Sequence, residues 1–283
     1  MKWPDDLADW PMADVSRKVL CRPHHWHVQD AGTGDTILLI HGAGGATQSW
    51  RGIFPLLAQT HRVIAIDLPG QGFTEIGARG RCGLRHMAED IAALMDQENI
   101  QPKAIIGHSA GAAIALQLAL MGRCDHVIGI NAALSNFRGM AGWLFPIMAK
   151  ALAINPLSAR LFSATARPSS VGNLIKGTGS KLDAAAQDLY LRLTRDTTHV
   201  DATLAMMSQW SLDRLSEQLS MISARVDLIV ADGDQAVPPS SSGDAIKHLS
   251  NGYLHPIKSL GHLAHEEDPD QIFALIERCL QAA

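Results

Sequence analysis

The sequence predicts a mostly parallel, doubly wound α/β sheet interrupted by a helical insertion. Three observations carry that expectation. Short β-rich runs alternate with longer stretches of helical spacing, the pattern of parallel strands joined by crossover helices. The clearest strands are apolar runs closed by glycine or proline, as buried strands are. Between residues 135 and 215 the alternation stops and only helical patterns remain, before strands resume.

The elements follow in order. Ile37–His41 reads as a buried strand bounded by Gly34 and Gly42, and His61–Asp67 as the next, closed by Pro69-Gly70. Leu84–Glu98 has helical spacing, with Met87, Ile91, Leu94 and Met95 on one face. Lys103–Gly107 is a strand, Ala110–Met121 a helix rich in Ala and Leu, and Val127–Asn131 a strand again. Strands Val226–Ala231 and Tyr253–Ile257 and a closing helix from Pro269 to Leu280 complete the pattern. The expected division is a core formed by residues 1–134 and 216–283, with a lid at 135–215. Met140, Met148, Met206, Met207, Trp143 and Trp210 fall in the lid, as lid core or as an adaptable apolar wall over a large flat ligand.

With 283 residues, 47% of them hydrophobic and 18% charged, the chain can bury a sizeable core. A net charge of -4 and a pI of about 6.3 give no basic excess for nucleic acid. The start, MKWPDDLADWPMAD, has acidic residues and no apolar run, so it does not read as a secretory signal. No apolar run reaches the ~18 residues that span a bilayer. The expected location is the cytoplasm. The four cysteines are far apart and form no C-x-x-C pair, which disfavours a zinc site, a redox motif or a dense disulfide framework. His24, His25 and His27 alternate in what reads as a strand, with no spaced Cys or carboxylate partner evident. They are expected at an edge or surface and not on a metal. No cofactor is expected.

Gly107-His108-Ser109-Ala110-Gly111 fits G-x-S-x-G, and its context sharpens it: KAIIG is a strand and AGAAIALQLAL a helix. That setting puts the serine on a sharp turn with its hydroxyl clear of the sheet edge. Small flanking residues let strand and helix backbones approach. His41-Gly42-Ala43-Gly44-Gly45 follows the first strong strand, where a loop would donate a second N–H to an oxyanion. The expected donors are the backbone N–H groups of Ala43 and Ala110. A phosphate cradle is disfavoured because no Lys follows the glycines. The pocket candidates are His41, Gly42, His108, Trp143 and His265. Asp67 is expected to hold the DLPGQG loop through N–H contacts, outside the catalytic set.

A nucleophilic serine needs an imidazole to take and return its proton and a carboxylate to orient that imidazole. Two segments at later strand ends supply them, in the order Ser…Asp…His. In Asp232-Gly233-Asp234, Asp234 is preferred because Gly233 gives the turn and Val237-Pro238 closes the loop, while Asp232 ends the strand or caps the loop. In Gly261-His262-Leu263-Ala264-His265, His262 is preferred because it follows a glycine in a loop, while His265 lies a helical turn later. No metal is expected at this site.

The motifs HGAGG, DLPGQG, GHSAG, DGDQAVP and GHLAHEEDP, all in order, make the chain from Ile37 onward resemble the α/β-hydrolase superfamily. A narrower resemblance covers almost the whole chain. WPMADVSRKVLCRPHHWHVQDAG, LLIHGAGGATQSWR and DLPGQGFTEIGARGRCGLRHMAEDIAAL are similar to the magnesium-chelatase accessory proteins of bacteriochlorophyll synthesis. That resemblance implies a role near magnesium insertion into protoporphyrin IX, a small-molecule substrate such as a tetrapyrrole, and contact with magnesium chelatase subunits. Three functions are then open. One is a serine hydrolase cleaving an ester or related acyl bond. Another is a porphyrin-binding or assembly protein that breaks no bond. The third is other chemistry on the same fold, such as carbon–carbon bond hydrolysis or cofactor-free peroxidation. The completeness of the residue set favours the first.

Overall fold

Period-two alternation along each strand sends apolar side chains to both faces of one sheet. In the computed structural model, which describes residues 1–135 and 156–282, eight strands form it. They are β1 (Ser16–Cys21), β2 (His24–Ala31), β3 (Thr36–Ile40), β4 (Arg62–Ile66), β5 (Ala104–His108), β6 (His126–Ile130), β7 (Arg225–Ala231) and β8 (Gly252–Ile257). Their order is β1-β2-β4-β3-β5-β6-β7-β8. β2 runs antiparallel to both its neighbours, and every other pairing is parallel.

Leu38 and Ile40 of β3 join one apolar cluster, while Ile37 and Leu39 join the other. Helices cover each face. α1 (Phe54–Leu57) lies against the second cluster; α2 (Leu84–Gln97) and α3 (Ala110–Leu120) fill the first. Met87, Ile91, Leu94 and Met95 of α2 are all buried, as their spacing requires. Removing one such side chain, as in Ile91→Ala, costs about 2–5 kcal/mol.

Between β6 and β7 the described residues form helices and no strand. These are α4 (Pro156–Thr165), α5 (Pro168–Gly177), α6 (Ala184–Arg195), α7 (Thr197–Gln209) and α8 (Asp213–Gln218). Asp183 and Asp196 cap α6 and α7 by accepting the N–H groups of Ala186 and His199. Met206 is buried in the core and Trp210 packs against it, while Met207 faces a cavity. Met140, Trp143 and Met148 lie outside the described residues. After β7 come α9 (Pro239–Ile246), α10 (Ala264–Glu267) and α11 (Pro269–Gln281), the last with Ile272, Leu275, Ile276, Cys279 and Leu280 buried on the second face. No helix among the described residues is long and apolar enough to cross a membrane.

The N-terminal histidines need a correction. β2 is not an edge strand, because β1 covers it on one side and β4 on the other. His24 and His27 are fully buried, packed against Trp26 and Phe73, and each has a carboxylate partner distant in sequence: Asp90 at 3.1 Å and Asp67 at 2.7 Å. His25, alternating with them, is partly exposed.

Candidate active site

Ser109 sits between β5 and α3 with φ 52° and ψ −114°, a conformation that costs a non-glycine residue about 1–3 kcal/mol. The surroundings pin it there. Its N–H donates to the Ile130 carbonyl (3.0 Å), and its own carbonyl accepts from Ala112 and Ala133 (both 3.1 Å). The flanking glycines are obligatory. A Cβ on Gly107 would lie 2.4 Å from the Gly111 carbonyl oxygen, and one on Gly111 would lie 2.1 Å from that of Ile40. Strand and helix thus meet backbone to backbone, and the hydroxyl stands at the C-terminal edge of the sheet.

The HGAGG loop lies directly beside this turn. A Cβ on Gly42 would come within 2.8 Å of His108 Nδ1 and 3.1 Å of Ser109 Cβ. His41 anchors the loop: the Leu68 N–H donates to its Nε2 (2.9 Å), so Nδ1 carries the proton and donates to the Gly42 carbonyl (2.7 Å). Burial keeps this ring neutral, against the pull of the Asp67 charge. Gly44 is held from two sides, its N–H by Gln71 Oε1 (2.9 Å) and its carbonyl by His199 Nε2 (3.2 Å). The Ala110 N–H is the first of α3, where a helix offers no internal acceptor. Ala43 lines the same cavity as Ser109, and Ala110 follows that serine directly in the chain, each on a segment fixed by its neighbours.

Asp234 and His262 come from the loops after β7 and β8. His262 Nδ1 lies 2.7 Å from Asp234 Oδ2 and donates to it. The other oxygen, Oδ1, accepts the N–H groups of Ala236 and Val237 (both 2.8 Å). Nε2 lies on the far side of the ring from this carboxylate. The competing assignments fall to other tasks. Asp232 Oδ1 accepts the Ser259 N–H (2.8 Å), holding the loop after β8. His265 is fully buried and stacks on Trp50 and His108, with ring centroids 4.8 and 4.4 Å away. Burial, with the Arg51 and His262 charges behind it, drives its pKa down to about 3.

Ser109 and His262 open onto one cavity of about 590 Å³, together with Gly42, Ala43 and His108. Two pocket candidates do not belong to its wall. His41 lies behind the loop it anchors, and His265 lies behind His108, because the stacked rings fill the space between it and the cavity. Trp143 lies outside the described residues. His108 lines the wall as a neutral ring, its pKa far below the usual histidine range through burial and the neighbouring His265 and His262 charges. Its Nε2 donates to the His262 carbonyl (2.9 Å).

Two residues that the motifs do not reveal complete the site. Asn131 ends β6 with φ 46°; its Nδ2 donates to the carbonyls of Gly261 (3.0 Å) and His262 (2.9 Å), and its Oδ1 accepts the Ala231 N–H (2.8 Å). It ties the end of β7 to the histidine loop. His199, on α7, bridges the insertion to the core: the Gly72 N–H donates to its Nδ1 (3.1 Å) while Nε2 holds Gly44. Burial lowers its pKa to about 4. The only sequence signal for either is residue type, since the partners are far away along the chain.

Among the described residues, Asp227, His255 and Cys279 bring one oxygen, one nitrogen and one sulfur within 4.8 Å of one another, the kind of set a metal takes. Their geometry already serves an ion-pair network. Asp227 accepts from Arg225 (2.7 Å), His126 (2.8 Å) and His255 (2.7 Å). Burial and the Asp227 charge raise the Cys279 thiol to about 12. Asp227 lies in the first half of β7, whereas Ser109 follows the end of β5.

Comparison with known proteins agrees with this architecture. Residues 35–269 match the family model described as alpha/beta hydrolase fold. The chain is 43% identical over 272 residues to the magnesium-chelatase 30 kDa subunit of Rhodobacter capsulatus, covering 95% of each chain. It is 32% identical to 2-hydroxy-6-oxo-2,4-heptadienoate hydrolase of Pseudomonas putida over 111 residues, 38% of this chain and 40% of that one. A thermophilic esterase structure from Thermogutta terrifontis superposes with a TM-score of 0.77 at 19% identity, covering 94% of this chain and 98% of that one. At that identity the likeness speaks for the fold.

Proposed function

This chain belongs to the α/β-hydrolase family, in the family of the magnesium-chelatase 30 kDa subunit, and from that premise we propose a serine hydrolase that cleaves an ester or related acyl bond. Its substrate belongs to bacteriochlorophyll synthesis, close to the insertion of magnesium into protoporphyrin IX. The observation that carries the reading is the Asp234–His262 pair, closed at 2.7 Å, on a ring that opens with Ser109 onto one cavity.

In this mechanism Ser109 Oγ attacks the substrate carbonyl carbon as His262 Nε2 takes its proton. Asp234 holds the ring in the tautomer that can accept and stabilises the imidazolium. The oxyanion is received by the N–H groups of Ala43 and Ala110, placed where negative charge develops and reinforced by the positive end of α3. The tetrahedral adduct then collapses, and the leaving alcohol departs with the proton from His262. Water, deprotonated by the same ring, attacks the acyl-enzyme. The acid product leaves and Ser109 regains its proton. Removing one oxyanion donor would cost about 10²–10³ in rate.

The name of the Rhodobacter relative favours a second reading, a porphyrin-binding or assembly protein that meets magnesium chelatase subunits and breaks no bond. Complementation separates the two. A bacteriochlorophyll-making host lacking its homologous gene receives wild type or Ser109→Ala, with protein levels matched. The hydrolase reading expects pigment from wild type alone and an accumulated tetrapyrrole in the variant. Full pigment from Ser109→Ala would overturn it in favour of the assembly reading.

A further inference from the structure

Resting on the hydrolase reading, we propose that the cavity over Ser109 takes an uncharged, apolar acyl group and rejects one that carries a carboxylate into it. The lining decides this. Among the described residues it contains no Lys, Arg, Asp or Glu. Phe162, Val171, Leu174, Ile175, Leu204 and Met207, all from the insertion, give it apolar walls.

The polar side chains on the wall are turned away from a ligand. Thr178, Thr194 and Thr203 each donate their hydroxyl to a carbonyl of their own helical turn, those of Ile175, Leu191 and His199. Ser49 does the same to Ala46. Tyr190 donates to Glu266 Oε1 (2.7 Å), and Glu266 is paired behind it with Arg51, so that cation is already matched. Both nitrogens of His199 are held by backbone, and His108 Nε2 serves the His262 carbonyl. Burial keeps these two rings neutral. Among the described residues of the wall, Ser158 is the remaining hydroxyl besides Ser109, and one neutral donor does not balance a charge.

A carboxylate entering the cavity would therefore give up its water without gaining a cation or a set of donors, and an unpaired buried charge is strongly disfavoured. An alkyl or macrocyclic hydrocarbon surface loses nothing of that kind. The reacting ester carbonyl alone finds polar partners, at Ser109 and the two backbone N–H groups. A substrate with several carboxyl groups would present the esterified one inward and keep the free ones in solvent.

The test compares two matched ligands. Wild type is assayed with p-nitrophenyl octanoate and with mono-p-nitrophenyl suberate, of the same carbon count but ending in a carboxylate. In parallel, Ser109→Ala is titrated calorimetrically with methyl octanoate and monomethyl suberate. The expected result is a loss of at least about 100-fold in kcat/KM, and a similar ratio in Kd, for the carboxylate-bearing member. Leu204→Lys should narrow either ratio at least tenfold by supplying the missing cation. Ratios within about threefold in wild type would overturn the proposal. If neither ester turns over, the hydrolase reading fails, while the binding ratio still decides the character of the cavity.

Discussion

Two carboxylate–histidine pairs in this molecule are built almost alike and end in different places. Asp67 follows β4 and Asp234 lies just beyond β7, both at the C-terminal edge of the sheet. Each presents Oδ2 to a histidine Nδ1 at 2.7 Å, and each also accepts backbone N–H groups, from Thr47 and Phe73 in one case and Ala236 and Val237 in the other. The difference lies across the imidazole. His27 is sealed among Trp3 and Phe73, with its buried Nε2 meeting no partner. His262 lines the cavity that holds Ser109. Buried carboxylate–histidine pairs also join elements elsewhere, at His24–Asp90 and His126–Asp227, but there the carboxylate meets Nε2 instead of Nδ1. Among the pairs bonded through Nδ1, the surroundings of the rest of the ring differ: His27 is sealed, and His262 shares a cavity with Ser109.

Breaking each pair in turn should expose that difference. His262→Ala is expected to lower kcat/KM of the folded protein for a neutral ester by about 10³–10⁴, far beyond what any accompanying loss of stability would explain. Equal losses of stability and activity would make His262 a structural residue. His27→Ala should do the reverse. It strands the Asp67 carboxylate, which burial would push upward but which the His27 charge and hydrogen bond hold down at about 2. Urea unfolding should show a loss of about 3–5 kcal/mol, with kcat of the folded protein within about threefold of wild type. Acid adds a check. Because the folded-state pKa of Asp67 is lowered, its contribution is complete above the ordinary value of 3.8 and disappears as pH falls toward about 2. In His27→Ala that acid-dependent loss should shrink.

A smaller effect falls on the link between the loops. Asn131→Ala removes three hydrogen bonds that tie the end of β7 to the His262 loop. It should cost about 2 kcal/mol of stability and about tenfold in kcat. Asn131→Asp, which keeps the acceptor and loses the donor, should restore stability less than activity if position alone matters, and a full recovery of both would refute the role of the amide.

The smallest expected effect concerns His199. Its folded-state pKa is lowered, so its neutral form belongs to the native state. Stability is complete above the ordinary value of 6.5 and declines as pH falls toward about 4. Between roughly pH 7 and pH 5.5 the loss should be about 1 kcal/mol. His199→Gln should flatten that slope in urea titrations, and an unchanged slope would assign the titration to another group, such as His265, which shifts in the same direction.

The parts of the fold legible in the sequence are those whose cause is local. GHSAG joins the strand Ala104–His108 directly to the helix Ala110–Leu120, so its turn and its glycine contacts follow from one stretch of chain. The order of Asp234 and His262 was readable because each follows a strand with an apolar run. The pairs His27–Asp67 and His24–Asp90 were not, because 40 and 66 residues separate the partners. The histidines of β2 read as surface residues because the carboxylates they meet lie far along the chain, even though β1, which pairs with the strand, ends just before it at Cys21. Asn131 and His199 act on backbone groups 100 or more residues away, which a motif cannot encode.

An activated Ser109 underlies the proposed chemistry, and its reaction with a fluorophosphonate reads that property directly. Intact-mass time courses with wild type and His262→Ala, followed by peptide mapping, should show one adduct on Ser109 in wild type, formed at least about 10³ times faster than in the variant. Equal rates in the two proteins, or a wild type whose Ser109 stays unmodified, would contradict it.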